Sequence, residues 1–449
     1  MKLTVDFSKR LGKIKPMHAV GQPPIWGISD EYFHYITEIG APQSRLHDAG
    51  GAYARNHFVD IPNIFRDFDA DETLPESYDF AFTDILIEQL YKAKVEPFFR
   101  LGVTIENYRQ VRRYTTYPPA DPAKWARICE HIIRHYNEGW ADGFRYGIKY
   151  WEIWNEPDDC LDPNESSMWC GTKEQYYELY EITAKHLKSC FGDSIKVGGY
   201  AATGVYSYDR DPDLTGLKEP AKDNQDHRID FIHGFFKHIS STNAPIDYFS
   251  WHSYKDVKQT VNHARYYDKM LEKYGYSGIE SILNEWNLCW AIPGVDWNEK
   301  ENPAFVPNTL AMMLAMQREA VTMLHFYDAR MGASFLGSLF NAETKKPTNI
   351  YFTFHMFNSL YKLGTEVLSA TDDADVYAIA ATNGKRSSVV IANTKNTPVE
   401  IDLDVLGADG MEHELLQLDS IYRYSPTGKD LSSGKLVLPA LGCAEIRYF

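Results

Sequence analysis

Eight short apolar runs alternate with stretches of helical patterning over the first 363 residues, and this alternation limits the fold more than any other feature of the chain. The strand candidates are 17–21, 43–48, 95–102, 148–155, 195–201, 246–254, 279–287 and 323–330. Helical patterning occupies 30–39, 79–94, 121–140, 172–190, 229–239, 258–274, 305–320 and 348–363. In 79–94, Phe82, Ile85, Leu86, Gln89 and Leu90 fall on one face, and Thr172-Lys-Glu-Gln175 has the form of a capping box. Near-continuous apolar strands between helices predict a parallel sheet covered on both faces, and eight repeats favour closure into a barrel. Beyond residue 364 the pattern changes to short alternating runs at 375–381, 388–393, 399–404, 414–418 and 436–448, with an Asn383-Gly384 turn. The expected fold is therefore α/β, a (β/α)8 TIM barrel over 11–363 with a C-terminal antiparallel β-sandwich over 364–449. Residues 2–7 alternate too early to be a barrel strand, so the N-terminal segment 1–10 is expected to join the sandwich. That sandwich is read as packing on the barrel flank, in preference to a carbohydrate-binding role.

Two of the apolar runs end in a glutamate. Ile148-Lys-Tyr-Trp-Glu-Ile-Trp-Asn155-Glu156-Pro157 is apolar and β-prone until it stops at Asn-Glu-Pro, and Ser281-Ile-Leu-Asn-Glu285-Trp-Asn287 repeats the form. Proline cannot extend a ladder and holds the residue before it out of the helical region, so Glu156 is predicted just past its strand. All strand exits of a (β/α)8 barrel face one side, where residues distant in sequence converge. Two carboxylates so placed suit hydrolysis of a glycosidic bond, one donating a proton to the leaving oxygen and the other acting as nucleophile or base. Glu280 precedes its apolar run and belongs at the opposite rim. Glu152 lies four residues before the exit and is set aside.

Trp151-Glu-Ile-Trp-Asn-Glu-Pro157, with a second strand-end glutamate about 130 residues on, resembles the clan A glycoside hydrolases. Within that clan the chain is most similar to glycoside hydrolase family 39, the family of β-xylosidases and α-L-iduronidases. The likeness is carried also by Tyr176 to Lys185, by Lys196-Val-Gly-Gly199 and by Phe249-Ser-Trp-His-Ser-Tyr254. It implies Glu156 as acid/base after the fourth barrel strand and Glu285 as nucleophile after the seventh, close enough together for the retaining route. It implies Asn155 as the amide that holds the substrate's 2-hydroxyl. His252 and Tyr254 match the family's His-x-Tyr and would orient Glu285 or touch the sugar. Asn284 stands where the family has threonine, and Tyr327 where a tryptophan is expected. His47, at the exit of the second strand, is a further candidate sugar contact, as are Trp290 and Tyr327. Proximity to the second carboxylate should raise the pKa of Glu156.

The formal charge of −16 and pI near 5.4 exclude attraction to nucleic acid or to an anionic membrane and are compatible with a neutral oligosaccharide. The N-terminus lacks an apolar signal core and no run of eighteen apolar residues occurs, so a soluble, cytoplasmic protein is expected. Six scattered cysteines suggest neither a zinc knuckle nor a disulfide framework; Cys160 and Cys170 could bridge, with free thiols the expected state. A metal site from His47, Asp48, His252 and Glu285 lacks H-x-H or H-E-x-x-H spacing, so no metal and no cofactor is expected. The oligomeric state is left open, with tetramers occurring in the family. The expected function is that of a retaining exo-glycosidase releasing a terminal pentose, first choice β-D-xylose, from short oligosaccharides. The insertions at 49–78 and 290–306 would wall off a pocket. Alternatives are an α-L-arabinofuranosidase or another clan A glycosidase on the same site, and a non-catalytic carbohydrate-binding barrel. Iduronide is disfavoured for want of a basic clamp.

Overall fold

The structure, a computed structural model, describes residues 1–25, 29–49, 59–104, 116–211, 214–296, 298–331 and 338–449. Eight parallel strands close into a barrel in sequence order: β2 (Ala19–Gly21), β3 (Gln43–Leu46), β4 (Glu96–Leu101), β5 (Tyr150–Ile153), β6 (Lys196–Ala202), β7 (Tyr248–Ser253), β8 (Glu280–Trp286) and β9 (Met323–Tyr327). Around them run α1 (Phe33–Glu38), α2 (Ile61–Ile64), α3 (Ala81–Lys92), α4 (Pro122–Asn137), α5 (Lys173–Phe191), α6 (Asn224–Thr242), α7 (Val257–Lys273), α8 (Phe305–Met316) and α9 (Asn349–Leu363). Helix starts follow capping chemistry. Asp121 accepts from the backbone of Ala123 and Lys124 ahead of α4, and Thr172 with Gln175 forms the expected reciprocal box on α5. Helix α6 begins five residues before the apolar pattern does, because Asp223 accepts from Asp226 N and caps a polar first turn. The buried face of α3 is Thr83, Leu86, Ile87, Gln89 and Leu90; Phe82 and Ile85 are only half-buried, so the packed face is turned from the predicted one. Short helical pieces occur within 49–78, and residues 50–58 of that insertion lie outside the described residues, as does residue 297 of the second.

Strand parity explains the barrel interior. Outward residues such as Leu46, Phe99, Trp151, Phe249 and Leu283 pack under the helices in the main core. Inward, Ala19, Phe98, Tyr150, Tyr248, Ile282 and Met323 form a separate apolar layer. Two residues nearer the exit on each of five strands, the inward face becomes polar: Arg100, Glu152, Ser250, Asn284 and His325, all fully buried. Arg45 of β3 joins this layer.

The remaining strands form one sheet, β15-β14-β17-β12-β11-β10-β1-β13-β16. Its members are β1 (Lys2–Lys13), β10 (Thr365–Thr371), β11 (Val376–Thr382), β12 (Ser387–Asn393), β13 (Val399–Leu406), β14 (His413–Leu418), β15 (Arg423–Pro426), β16 (Lys435–Leu438) and β17 (Cys443–Tyr448). The predicted run 436–448 is two strands, parted at Pro439–Gly442, and the sheet is continuous, with no break into two hydrogen-bonded halves. It curls: Ile401 and Leu436 from one end share a cluster with Leu415 and Ile446 from the other. Its convex face meets the barrel, since Ile379, Ala381, Val390 and Ala392 belong to the main core while Ala378, Ala380, Val389 and Ile391 line the curl. Both faces being covered, β11 and β12 read as apolar runs with little alternation. Strand β1 pairs antiparallel with β10 and parallel with β13. All six cysteines are free thiols. Among the described residues no helix is long and apolar enough to cross a membrane.

Candidate active site

The polar layer begins with two opposite charges that an apolar strand could not otherwise bury. Arg45 Nε reaches Glu152 Oε2 at 2.8 Å, and its Nη2 lies 2.7 Å from the same oxygen. Glu152 Oε1 accepts from Ser250 Oγ at 2.6 Å and from Asn284 Nδ2 at 2.5 Å. The guanidinium is thereby fixed in plane, and it also reaches up to the exits: Nη1 to Glu285 Oε2 at 2.9 Å and Nη2, shared with Glu152, to Asn155 Oδ1 at 2.5 Å. One buried arginine thus ties three barrel strands to the two motifs singled out from the sequence.

Glu156 lies three residues past β5, where the backbone turns sharply. Trp154 and Glu156 both have positive φ, 71° and 47°, and Glu156 N donates to Ala201 O. Glu285 reaches the interior by a different device. Parity from Ile282 and Asn284 would bring Trp286 inward, but β8 shifts register after Leu283, so that His252 pairs with Glu285. His252 Nδ1 then lies 2.6 Å from Glu156 Oε1 and 3.8 Å from Glu285 Oε1. Tyr254 donates its hydroxyl to Glu285 Oε1 at 2.5 Å. A carboxylate oxygen of each glutamate and the histidine nitrogen lie within 4.8 Å of one another.

Burial raises the pKa of Glu156 well above the ordinary carboxyl range, reinforced by Asp159 and Asp158. The sequence-based expectation of a raised pKa is correct in direction, but Glu285 is not among the chief causes. Burial also raises Glu285, with Glu156 adding to it; His252, Arg45 and the Tyr254 hydroxyl work the other way. His252 is pushed down to about 4 by burial, so its ring is neutral at neutral pH. His252 braces Glu156 more closely than Glu285, which refines the expectation that it would orient Glu285.

Each of the other predicted residues has a place. His47 is buried, its Nε2 3.3 Å from Asp48 Oδ1. Tyr327 ends β9 and donates to Asp48 Oδ2 at 2.5 Å, so the tyrosine in the family's tryptophan position finds a buried acceptor. Trp290 is 53% exposed, its ring 5.4 Å from that of Tyr254. Glu280 sits at the far rim with Lys196 and Tyr150. Sequence reading gave no role to Arg45, Glu152, Ser250 or Asn284, and considered Asp48 only for a metal site that it set aside. The available signal was an arginine and a glutamate at inward positions of apolar strands, which must pair to be buried. Two groups among the described residues could hold a metal ion by donor type and distance: Glu156, His252 and Glu285, and, on the outer helices, Glu130, His186 and Cys190. In the first, Glu285 is engaged by Arg45 and Tyr254, and His252 Nδ1 by Glu156 Oε1, while His252 Nε2 has no hydrogen-bond partner.

Comparison with known proteins agrees with this architecture. A β-xylosidase of Geobacillus stearothermophilus is 25% identical over 252 residues, covering 53% of this chain and 42% of that protein. A β-xylosidase of Caldicellulosiruptor saccharolyticus is 27% identical over 217 residues, covering 45% of this chain and 40% of that protein. The chain thus spans well under half the length of these curated relatives. Among solved structures, a glucosidase from Croceicoccus marinus superposes with a TM-score of 0.74 at 18% identity, covering 100% of this chain and 98% of that one. A family 39 β-xylosidase from Caulobacter crescentus gives 0.68 at 17%, covering 100% and 99%. The family model of glycosyl hydrolases family 39 matches residues 1–401, and the chain belongs to that family.

Proposed function

We propose that the chain is a retaining glycosidase that removes a terminal neutral sugar, first choice β-D-xylose, from a short oligosaccharide. The observation that carries this reading is the approach of Glu156, His252 and Glu285 to within 4.8 Å. Retaining enzymes hold their two carboxyls about 5–5.5 Å apart, whereas inverting ones leave about 6.5–9.5 Å for a water. In this reading Glu285, kept ionised by Arg45 and Tyr254, attacks the anomeric carbon. Glu156, kept protonated by burial beside Asp158 and Asp159, gives its proton to the leaving oxygen. Once the aglycone has left, Glu156 takes a proton from the water that attacks the glycosyl ester, restoring both side chains. Asn155, its Oδ1 fixed by Arg45, offers its amide N–H to the 2-hydroxyl, a contact that strengthens as positive charge develops on the ring. The β-xylosidase relatives support xylose as first choice; an α-L-arabinofuranoside is served by the same two carboxylates.

A panel of nitrophenyl glycosides, assayed with wild type, Glu156→Ala and Glu285→Ala, tests the reading. Azide should rescue Glu285→Ala with product of inverted anomeric form and Glu156→Ala with product of retained form. Activity on every panel member surviving in Glu285→Ala would refute the nucleophile assignment.

A further inference from the structure

Gln22, His47 and Asp48 stand at the exits of β2 and β3 and are at most 4% exposed. Both polar atoms of the Gln22 amide and His47 Nδ1 are buried without a hydrogen-bond partner, and Asp48 Oδ1, 3.3 Å from His47 Nε2, likewise accepts no hydrogen bond. Each such atom costs about as much as a lost hydrogen bond, and four together at one rim of the barrel call for a function. The backbone adds to the cost, because Gln22 and Asp48 have φ of 58° and 48°, a region that side-chain-bearing residues seldom adopt.

These residues adjoin the paired glutamates. Gln22 N donates to Arg45 O, the residue that holds Glu285. Its neighbour Gly21 pairs with Tyr327 and leaves so little room that a Cβ there would lie 3.3 Å from the Tyr327 ring. Tyr327 holds Asp48 Oδ2 and packs with Tyr254, whose hydroxyl is on Glu285. The cations beside this wall are engaged: Arg45 by Glu152 and Glu285, Arg330 by Asp328. Arg100, one layer deeper, pairs with Asp60 and keeps Nε and Nη1 unpartnered.

We propose that Gln22 and Asp48, with His47 between them, grip two adjacent hydroxyls of an uncharged glycone and make Asp48 the residue that turns away a uronate. An amide offers one donor and one acceptor, an imidazole nitrogen either, and a carboxylate oxygen an acceptor. That set matches neighbouring hydroxyls, each of which donates once and accepts. A carboxylate on the sugar would instead meet the carboxylate of Asp48. The inference rests on the glycosidase reading for the placing of the anomeric carbon at Glu156 and Glu285, and it is tested without turnover.

Phenyl 1-thio-β-D-xyloside, its 3-deoxy and 4-deoxy analogues and phenyl 1-thio-β-D-glucuronide are titrated calorimetrically into wild type, Asp48→Ala, Asp48→Asn and Gln22→Ala. Wild type should bind the xyloside, lose roughly tenfold to a hundredfold on removal of the contacted hydroxyl, and bind the glucuronide least. Asp48→Ala should lose a similar factor on the xyloside and little further on that deoxy analogue, the non-additivity that marks a direct contact. Asp48→Asn, which keeps an acceptor for Tyr327, should bind the glucuronide better than wild type and serves where the alanine variant fails to fold. Equal deoxy penalties in wild type and variants, a wild-type preference for the glucuronide, or no binding of any of these sugars overturns the proposal. Loss of nitrophenyl glycoside activity on Glu285→Ala decides the glycosidase reading separately, so either can fail alone.

Discussion

Arg45 and Glu285, 240 positions apart in sequence, meet at 2.9 Å inside the barrel while the same guanidinium holds Glu152 and Asn155. The contact makes Arg45 a positioning residue for both motifs. Replacing it by alanine leaves Glu152 buried and unpaired, and removal of one partner of a buried pair costs about 3–5 kcal/mol. Arg45→Ala should therefore melt at lower temperature and lose activity. Arg45→Lys keeps the charge but cannot span three acceptors in one plane, so it should recover stability more than kcat. Denaturant titration and steady-state kinetics on the two variants separate these effects; equal recovery of both would argue against a positioning role.

Tyr254→Phe removes the hydroxyl that holds Glu285 Oε1. That hydrogen bond favours the ionised form, so its loss raises the Glu285 pKa further. The acid-side limb of the kcat/KM profile should move to higher pH. Activity at the lower edge should fall by about tenfold or more, the scale of a hydrogen bond to a charged group. A profile that drops uniformly without moving would show that the hydroxyl serves the sugar instead.

The barrel was legible from the chain because parity and period act locally: each of its eight strands lies within about three residues of the run that announced it. Glu156 was legible for the same reason, since Asn155-Glu156-Pro157 closes the apolar run, although β5 itself ends earlier, at Ile153. Glu285 was found by analogy with Glu156, and only the register shift after Leu283 explains why parity does not bring Trp286 inward instead. The roles of Arg45 and Glu152 depend on side chains 107 positions apart, on strands β3 and β5 that are not adjacent in the sheet, meeting inside the closed barrel, which no local pattern encodes. The curl of the accessory sheet is hidden similarly, because β11 and β12, covered on both faces, lose the alternation that would reveal which face meets the barrel.

The raised pKa of Glu156 links activity to stability with a definite sign. In the proposed reaction the acid step needs its proton, so the basic limb should follow its titration, and Glu156→Gln should flatten that limb on substrates with good leaving groups. In the folded state the carboxyl holds its proton to higher pH than in the unfolded chain, so folding is weakened as pH rises from the ordinary carboxyl range through the raised value. Glu156→Gln removes the buried charge. Its melting temperature should exceed that of wild type above the raised pKa, and the difference should vanish near pH 4, where both side chains are neutral. A difference independent of pH would mean that the carboxyl is not held protonated.

The first strand of the chain makes the accessory sheet one unit with its two ends. β1 lies between β10 and β13, and Leu3 and Val5 are fully buried in the curl's own cluster beside Val367 and Ile401. Without β1, the pair β13 and β16 would have no hydrogen-bonded neighbour linking it to the remaining strands. Leu3→Ala removes buried methyl groups and leaves a cavity, at a cost of about 2–5 kcal/mol. Because the opposite face of β11 and β12 packs on the barrel, the loss should be transmitted to it. Tryptophan fluorescence, which reports mainly on the barrel, and circular dichroism should then show one common transition at lower denaturant. If the fluorescence midpoint stays at the wild-type value while the dichroism shifts, the sheet unfolds on its own and the packing between the two parts is weaker than their shared core implies.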